Sequence, residues 1–317
     1  MNSTPKLKNS IKIQGYIMKK EGFTIGDEIK KNHSFTLNPY NLRVYMCAKN
    51  QLFISYFHNL LVTFWKEHIG SKALNDIFFN KVVSELIRTH KELNFITRGW
   101  YLYGIEVAKP SVDQGNFIPT IDELTRGTGF TNSKIQVLTK ELISIAESFD
   151  CKALPFDWER KQYEDYNEKV YLSKLELQLA IKSKGIKDIN RKLSNLSLNL
   201  NLKKYNFQIG AMVLLKFIDV SKKVIISNSY SIPNFKKFVQ AFDGAWKCFA
   251  SVNLYLTAEG LDAEKIKVNT SKKIESACKK AEQSYKELSK DIKIKKFHIK
   301  IKPDNIEKEI LRKINRV

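Results

Sequence analysis

The residue types able to do covalent or metal chemistry are scattered along this chain. The four cysteines, Cys47, Cys151, Cys248 and Cys278, form no CxxC pair, and the five histidines, His33, His58, His68, His90 and His298, show no metal-ligand spacing. That pattern points to neither a zinc site nor a disulfide framework, and it fits a reduced, cytoplasmic setting. Carboxylates gather at Asp157-Trp158-Glu159 and Glu164-Asp165, in a stretch read as a loop, without a histidine or lysine spaced to support a metal-dependent nuclease. The chain contains no GxxxxGK[ST] or GxGxxG phosphate loop, no GxSxG elbow and no HExxH. His58 and His68 lie on an apolar segment and read as packed side chains; Trp65, Trp100, Trp158 and Trp246 read as core anchors. The expectation is a protein that is not an enzyme and uses no metal and no cofactor.

A different chemistry, hydrogen bonding to bases and phosphates, is offered by Pro119 to Leu142, PTIDELTRGTGFTNSKIQVLTKEL. Thr120 followed three residues later by Glu123 is a capping box that opens a short helix. Gly127 and Gly129 close it, and Gly129 suits a left-handed turn position. Thr131 caps a second helix, whose Ile135, Leu138 and Leu142 form a stripe that packs against Ile121, Leu124 and Phe130. Two short helices joined by a glycine-containing turn make a helix-turn-helix layout, a layout also found in plain helical hairpins buried within larger domains.

The run Leu124-Thr125-Arg126-Gly127-Thr128-Gly129-Phe130-Thr131-Asn132-Ser133-Lys134-Ile135, followed by Leu138 and Leu142, resembles the helix-turn-helix and winged-helix superfamily of DNA-binding domains. The resemblance implies that the second helix is a recognition helix, with Thr131, Asn132, Ser133, Lys134, Gln136 and Lys140 as nucleic-acid contacts. Asn132 and Gln136 share a face, and each amide can bond bidentately to adenine, while Lys140 suits phosphate or guanine. The first turn after Thr131 holds no acid, which leaves the positive helix end open to a phosphate. The superfamily's preceding helix would fall near Ile96–Val107, and a wing would need Ile143–Phe149 to pair with Lys169–Leu175.

The chain's 317 residues carry 54 Lys plus Arg against 33 Asp plus Glu, a formal charge of +21. Lysine, asparagine and isoleucine are all abundant, as an AT-rich gene would encode whatever the function, so part of this charge can be coding bias. A field this positive still favours anionic partners. It is uneven: residues 1–150 have a net charge of +5 and residues 151–317 of +16. Lys182, Lys184, Lys187, Arg191, Lys192, Lys203 and Lys204 face Asp188 alone within residues 182–204, so Lys187, Arg191 and Lys192 are the second expected nucleic-acid contact. Lys265, Lys272, Lys279, Lys286 and Lys293 recur every seven residues and would form one basic ridge, or a plain solvated face with Glu275–Lys279 and Glu282–Lys286 pairs.

These residues need elements to hold them. Helical periodicity predicts helices over 41–69, 73–94, 234–257, 262–290 and 304–316 and strands over 222–232 and 292–302. Residues 168–204 begin as a helix, but Leu196, Leu198, Leu200 and Leu202 alternate, so a strand competes there. The expected fold is α+β and helix-dominated, with a helix-turn-helix module, winged or not, within a larger two-domain chain. A helical domain takes residues 1–150, a basic α+β domain takes 168–317, and 151–167 is a linker or long loop. No segment reads as a membrane span or a secretory signal. The reading is a sequence-specific binder of double-stranded DNA, a replication initiator of a plasmid- or phage-type replicon. The alternatives are a transcriptional regulator and a non-sequence-specific RNA-binding or nucleoprotein scaffold protein; a homodimer stays open.

Overall fold

The computed structural model describes residues 39–70, 73–108, 118–201, 204–205 and 208–292. Ten helices stand among them: α1 Pro39–Ile69, α2 Asp76–Thr89, α3 Ile121–Thr128, α4 Asn132–Ser148, α5 Pro155–Asp165, α6 Lys169–Ser183, α7 Ile186–Leu200, α8 Ile209–Ser227, α9 Phe235–Thr257 and α10 Ala263–Ser289. Strands β1 (Arg98–Tyr101) and β2 (Gly104–Val107) form a two-stranded sheet. The fold is helix-dominated. Among the described residues, no helix is long and apolar enough to cross a membrane.

The chain divides into two compact units. Of the described residues, the first draws on those up to Arg98, on those within Ile105–Trp158 and on Glu259–Glu264; the second on Gly99–Gly104, on those within Glu159–Ala258 and on those from Lys265. Residues 151–167, expected as a linker, hold α5, and the boundary falls inside that helix. Pro155 fits its first helical position, where the missing N–H costs nothing. Trp158 is buried against Trp65 and Phe78 in the first unit, and Tyr163 is buried in the second.

Helices α1, α2, α3 and α4 pack together in the first unit around Phe53, Phe57, Leu61, Phe78, Val82 and Leu86. In the second, α6 packs on α7, α7 on α8 and α8 on α9. Its interior holds Tyr171, Trp246, Phe249, Phe217, Phe238 and Phe242. Lys174 is also fully buried there. Its ammonium donates to Glu159 at 3.3 Å, and the Tyr163 hydroxyl donates to the same carboxylate at 2.7 Å. Burial pulls the Lys174 ammonium below the usual lysine range, while Glu159 pulls it back up.

Three sequence expectations give way to helix. Residues 222–227 end α8, because Phe217, Ser221, Val224 and Ile225 form a buried helical stripe that overrides their β-branched character. Of the alternating leucines, Leu196, Leu198 and Leu200 lie in α7, whose buried stripe is Ile189, Leu193, Leu196 and Leu200, while Leu198 is 69% exposed; Leu202 lies outside the described residues. Ile143–Phe149 and Lys169–Leu175 belong to α4 and α6, so they form no wing; Ala146 carries α4's buried stripe on beyond Leu142. Conversely, Ile96–Val107, expected as a helix, holds the β1–β2 hairpin. The strand over 292–302 and the helix over 304–316 lie outside the described residues, apart from Ile292.

Candidate nucleic-acid interface

The path of α3 and α4 follows from local chemistry. The Thr120 hydroxyl accepts the Glu123 N–H at 3.2 Å, and the Glu123 carboxylate accepts the Thr120 N–H at 2.8 Å, completing the capping box. At the other end of α3, Gly129 takes φ 75°, the left-handed position, and its N–H bonds back to the Thr125 carbonyl. Gly127 is buried; a Cβ there would sit 2.6 Å from Leu52, so glycine lets α3 lie against α1. Phe130 anchors the turn, its ring 5.1 Å edge-on from Phe53, with the Lys49 ammonium 4.8 Å above it.

Thr131 then caps α4 by accepting the Lys134 N–H at 3.3 Å. Leu124, Ile135, Leu138 and Leu142 are fully buried, Ile121 and Phe130 half-buried. The Tyr56 and Thr139 hydroxyls share a 2.8 Å hydrogen bond that fastens α4 to α1. The opposite face of α4 is open. Thr131, Asn132, Ser133, Gln136 and Lys140 are exposed together with Val137. Among the described residues, no side-chain bond engages Asn132, Gln136 or Lys140.

Lys134 is different. Its ammonium pairs with Glu92 and lies 3.4 Å from His90 Nδ1; His90 in turn contacts Glu92 at 3.2 Å and, through Nε2, Glu141. Hydrogen bonding from Lys134, with a smaller contribution from His90, holds the Glu92 carboxyl down to about 2, from the ordinary 4.5. Lys134 is therefore already neutralised and clamps the start of α4 to the 3-10 turn Lys91–Leu93. No spacing rule points to His90 and Glu92 as its partners, because some 40 residues separate them from α4; only the fold joins them.

The second expected contact is less bare than its sequence. Lys182, Lys184 and Lys187 are not buried, but Arg191 bonds Asp188 at 2.6 Å and Lys192 bonds Glu176, from α6, at 2.8 Å. Glu176 lies outside the basic stretch, so residues 182–204 taken alone overstate the patch's free charge. On α10, Lys265, Lys272, Lys279 and Lys286 are all exposed, with Ala281 buried and Ala277 half-buried on the inner side. Lys279 pairs with Glu275.

The carboxylates of residues 157–165, expected in a loop, lie on α5 and are dispersed. Asp157 accepts the Leu154 N–H at 3.3 Å, Glu159 serves Lys174, and Asp165 lies 3.7 Å from Lys161. Among the described residues no group of His, Cys, Asp and Glu could hold a metal ion. His68 meets the Phe64 carbonyl at 2.8 Å and His58 packs edge-on against Phe79. Two cysteines remote in sequence, Cys248 and Cys278, meet in the second unit. Comparison of the chain with family models, with curated proteins and with solved structures returns no match.

Proposed function

We propose that the protein binds double-stranded DNA sequence-specifically through α4, in the role of a replication initiator. The observation that carries the reading is the division of α4 into a locked face and an open one. Ile135, Leu138 and Leu142 and the Tyr56–Thr139 bond fix its position, while Asn132, Gln136 and Lys140 project from the exposed side. Amides at that spacing suit adenine edges in a major groove, and the lysine suits guanine or phosphate. The N–H groups of Asn132 and Ser133, at a first turn that holds no acid, suit a backbone phosphate. The basic surface of the second unit supports a sequence-independent phosphate-binding term alongside the specific one.

The test is selection of duplexes from a randomised pool, followed by binding measured by fluorescence anisotropy. One enriched sequence should emerge, bound roughly 10³-fold or more tighter than random duplex. For an initiator, that sequence should recur as iterated copies beside the origin of the replicon that encodes the protein. Recovery of no enriched sequence, with equal affinity for DNA and RNA, would replace this reading with a scaffold role.

A further inference from the structure

Cys248 on α9 and Cys278 on α10 bring their sulfurs to 2.6 Å, against about 2.05 Å in a disulfide bond. Both are free thiols, and they are 0% and 4% exposed. The approach follows from small residues: a Cβ on Gly244 would lie 3.5 Å from the Ala281 Cα, so the helix backbones nearly touch one turn away from the two thiols. The pair is asymmetric. Either thiol can donate to the other; the accepting sulfur is drawn towards thiolate, and Cys278, the less buried of the two, is held lower than Cys248, which the shared hydrogen bond and burial push up.

We infer that Cys248 and Cys278 form a redox-modification site, which a peroxide converts to a disulfide tying α9 to α10. The Cys278 thiolate attacks one oxygen of the peroxide; the O–O bond breaks, hydroxide leaves, and Cys278 becomes a sulfenic acid. The Cys248 sulfur then attacks the Cys278 sulfur. The S–O bond breaks, and hydroxide departs with the Cys248 proton as water. The first hydroxide takes up the proton that Cys278 had lost. Two thiols and one hydrogen peroxide thus give one disulfide and two waters, with two electrons passing from sulfur to oxygen. Hydrogen peroxide is small enough for a site this closed, and Cys278, the less buried of the two, is the point of entry. Among the described residues Cys151 has no such neighbour, and burial pushes its thiol up, which keeps it a poor nucleophile.

The test treats the full chain with hydrogen peroxide, denatures it in an alkylating reagent and maps the peptides by mass. The expected result is a cross-linked pair of peptides containing Cys248 and Cys278, two alkylated thiols fewer, and reversal by dithiothreitol. The oxidised protein should melt on the order of 5–10 °C above the reduced one. Cys248→Ser should stop at a dimedone-reactive sulfenic acid on Cys278. If both cysteines stay alkylatable in folded, peroxide-treated protein, or if the cross-link joins Cys47 or Cys151 instead, the inference is overturned. The wild-type peptide map decides this even where a serine variant does not fold.

Discussion

Lys134 and Gln136 stand two positions apart on α4 and are used differently. Lys134 is bonded to Glu92, whereas Gln136 faces outward. The Glu92 carboxyl sits at about 2 when folded and 4.5 ordinarily, so its pairing stabilises the fold above about pH 4.5 and is lost as pH falls towards 2. Because both partners are more than a third exposed, the contribution is below about 1 kcal/mol. Denaturant titrations of wild type and Glu92→Gln should differ slightly at pH 7 and converge near pH 2; a gap that widens on acidification would contradict this. Lys174 is the opposite case. Replacing it with Met leaves the Glu159 carboxylate buried beside the Tyr163 hydroxyl without its cation, and should cost about 3–5 kcal/mol in urea unfolding. Removing both charges, by Glu159→Leu with Lys174→Met, should recover much of that loss. A single variant as stable as wild type would show that the pair is not fixed.

At the scale of elements, the turn between α3 and α4 sets the direction of the open face. Gly129→Ala meets no neighbouring atom within 4 Å, so its cost is conformational, about 1 kcal/mol for an alanine in the left-handed region, and Gly129→Asn should lose less. Thermal melts of the two variants check the order; equal losses would point to a steric cause. This turn is legible in the sequence because each signal is local: Thr120 and Glu123 are three apart, Gly129 supplies its own backbone freedom, and Thr131 caps its own helix. The same holds for α10, whose Ala281 and lysine faces follow from spacing alone. Residues 222–227 mislead because β-branched side chains signal burial in either element, and only packing with Phe217 and Ser221 makes them helical. The helix over Ile96–Val107 follows only from the resemblance, and Gly104, at φ 101°, lets the chain turn there as a hairpin. The Glu92–Lys134, Glu176–Lys192 and Cys248–Cys278 pairs are tertiary, so no spacing rule reveals them.

For the whole molecule, the +21 charge is not a uniform coat. Arg191, Lys192 and Lys279 are locally paired, whereas Lys182, Lys184, Lys265 and Lys272 are exposed. On the proposed reading, such a surface would give nucleic-acid affinity that falls with salt, and α4 would supply the groups that read bases. Fluorescence anisotropy across a range of salt, on the selected duplex and on random duplex, separates the two terms in wild type, in Gln136→Ala and in the triple variant Lys187→Ala, Arg191→Ala, Lys192→Ala. Gln136→Ala should lose about 1–3 kcal/mol on the selected duplex and little on the random one. The triple variant should weaken both alike and reduce the salt slope by about one for each phosphate it no longer neutralises. If Gln136→Ala loses nothing on any selected duplex while the triple variant abolishes binding to DNA and RNA equally, α4 does not read sequence and the protein is a non-specific nucleic-acid scaffold.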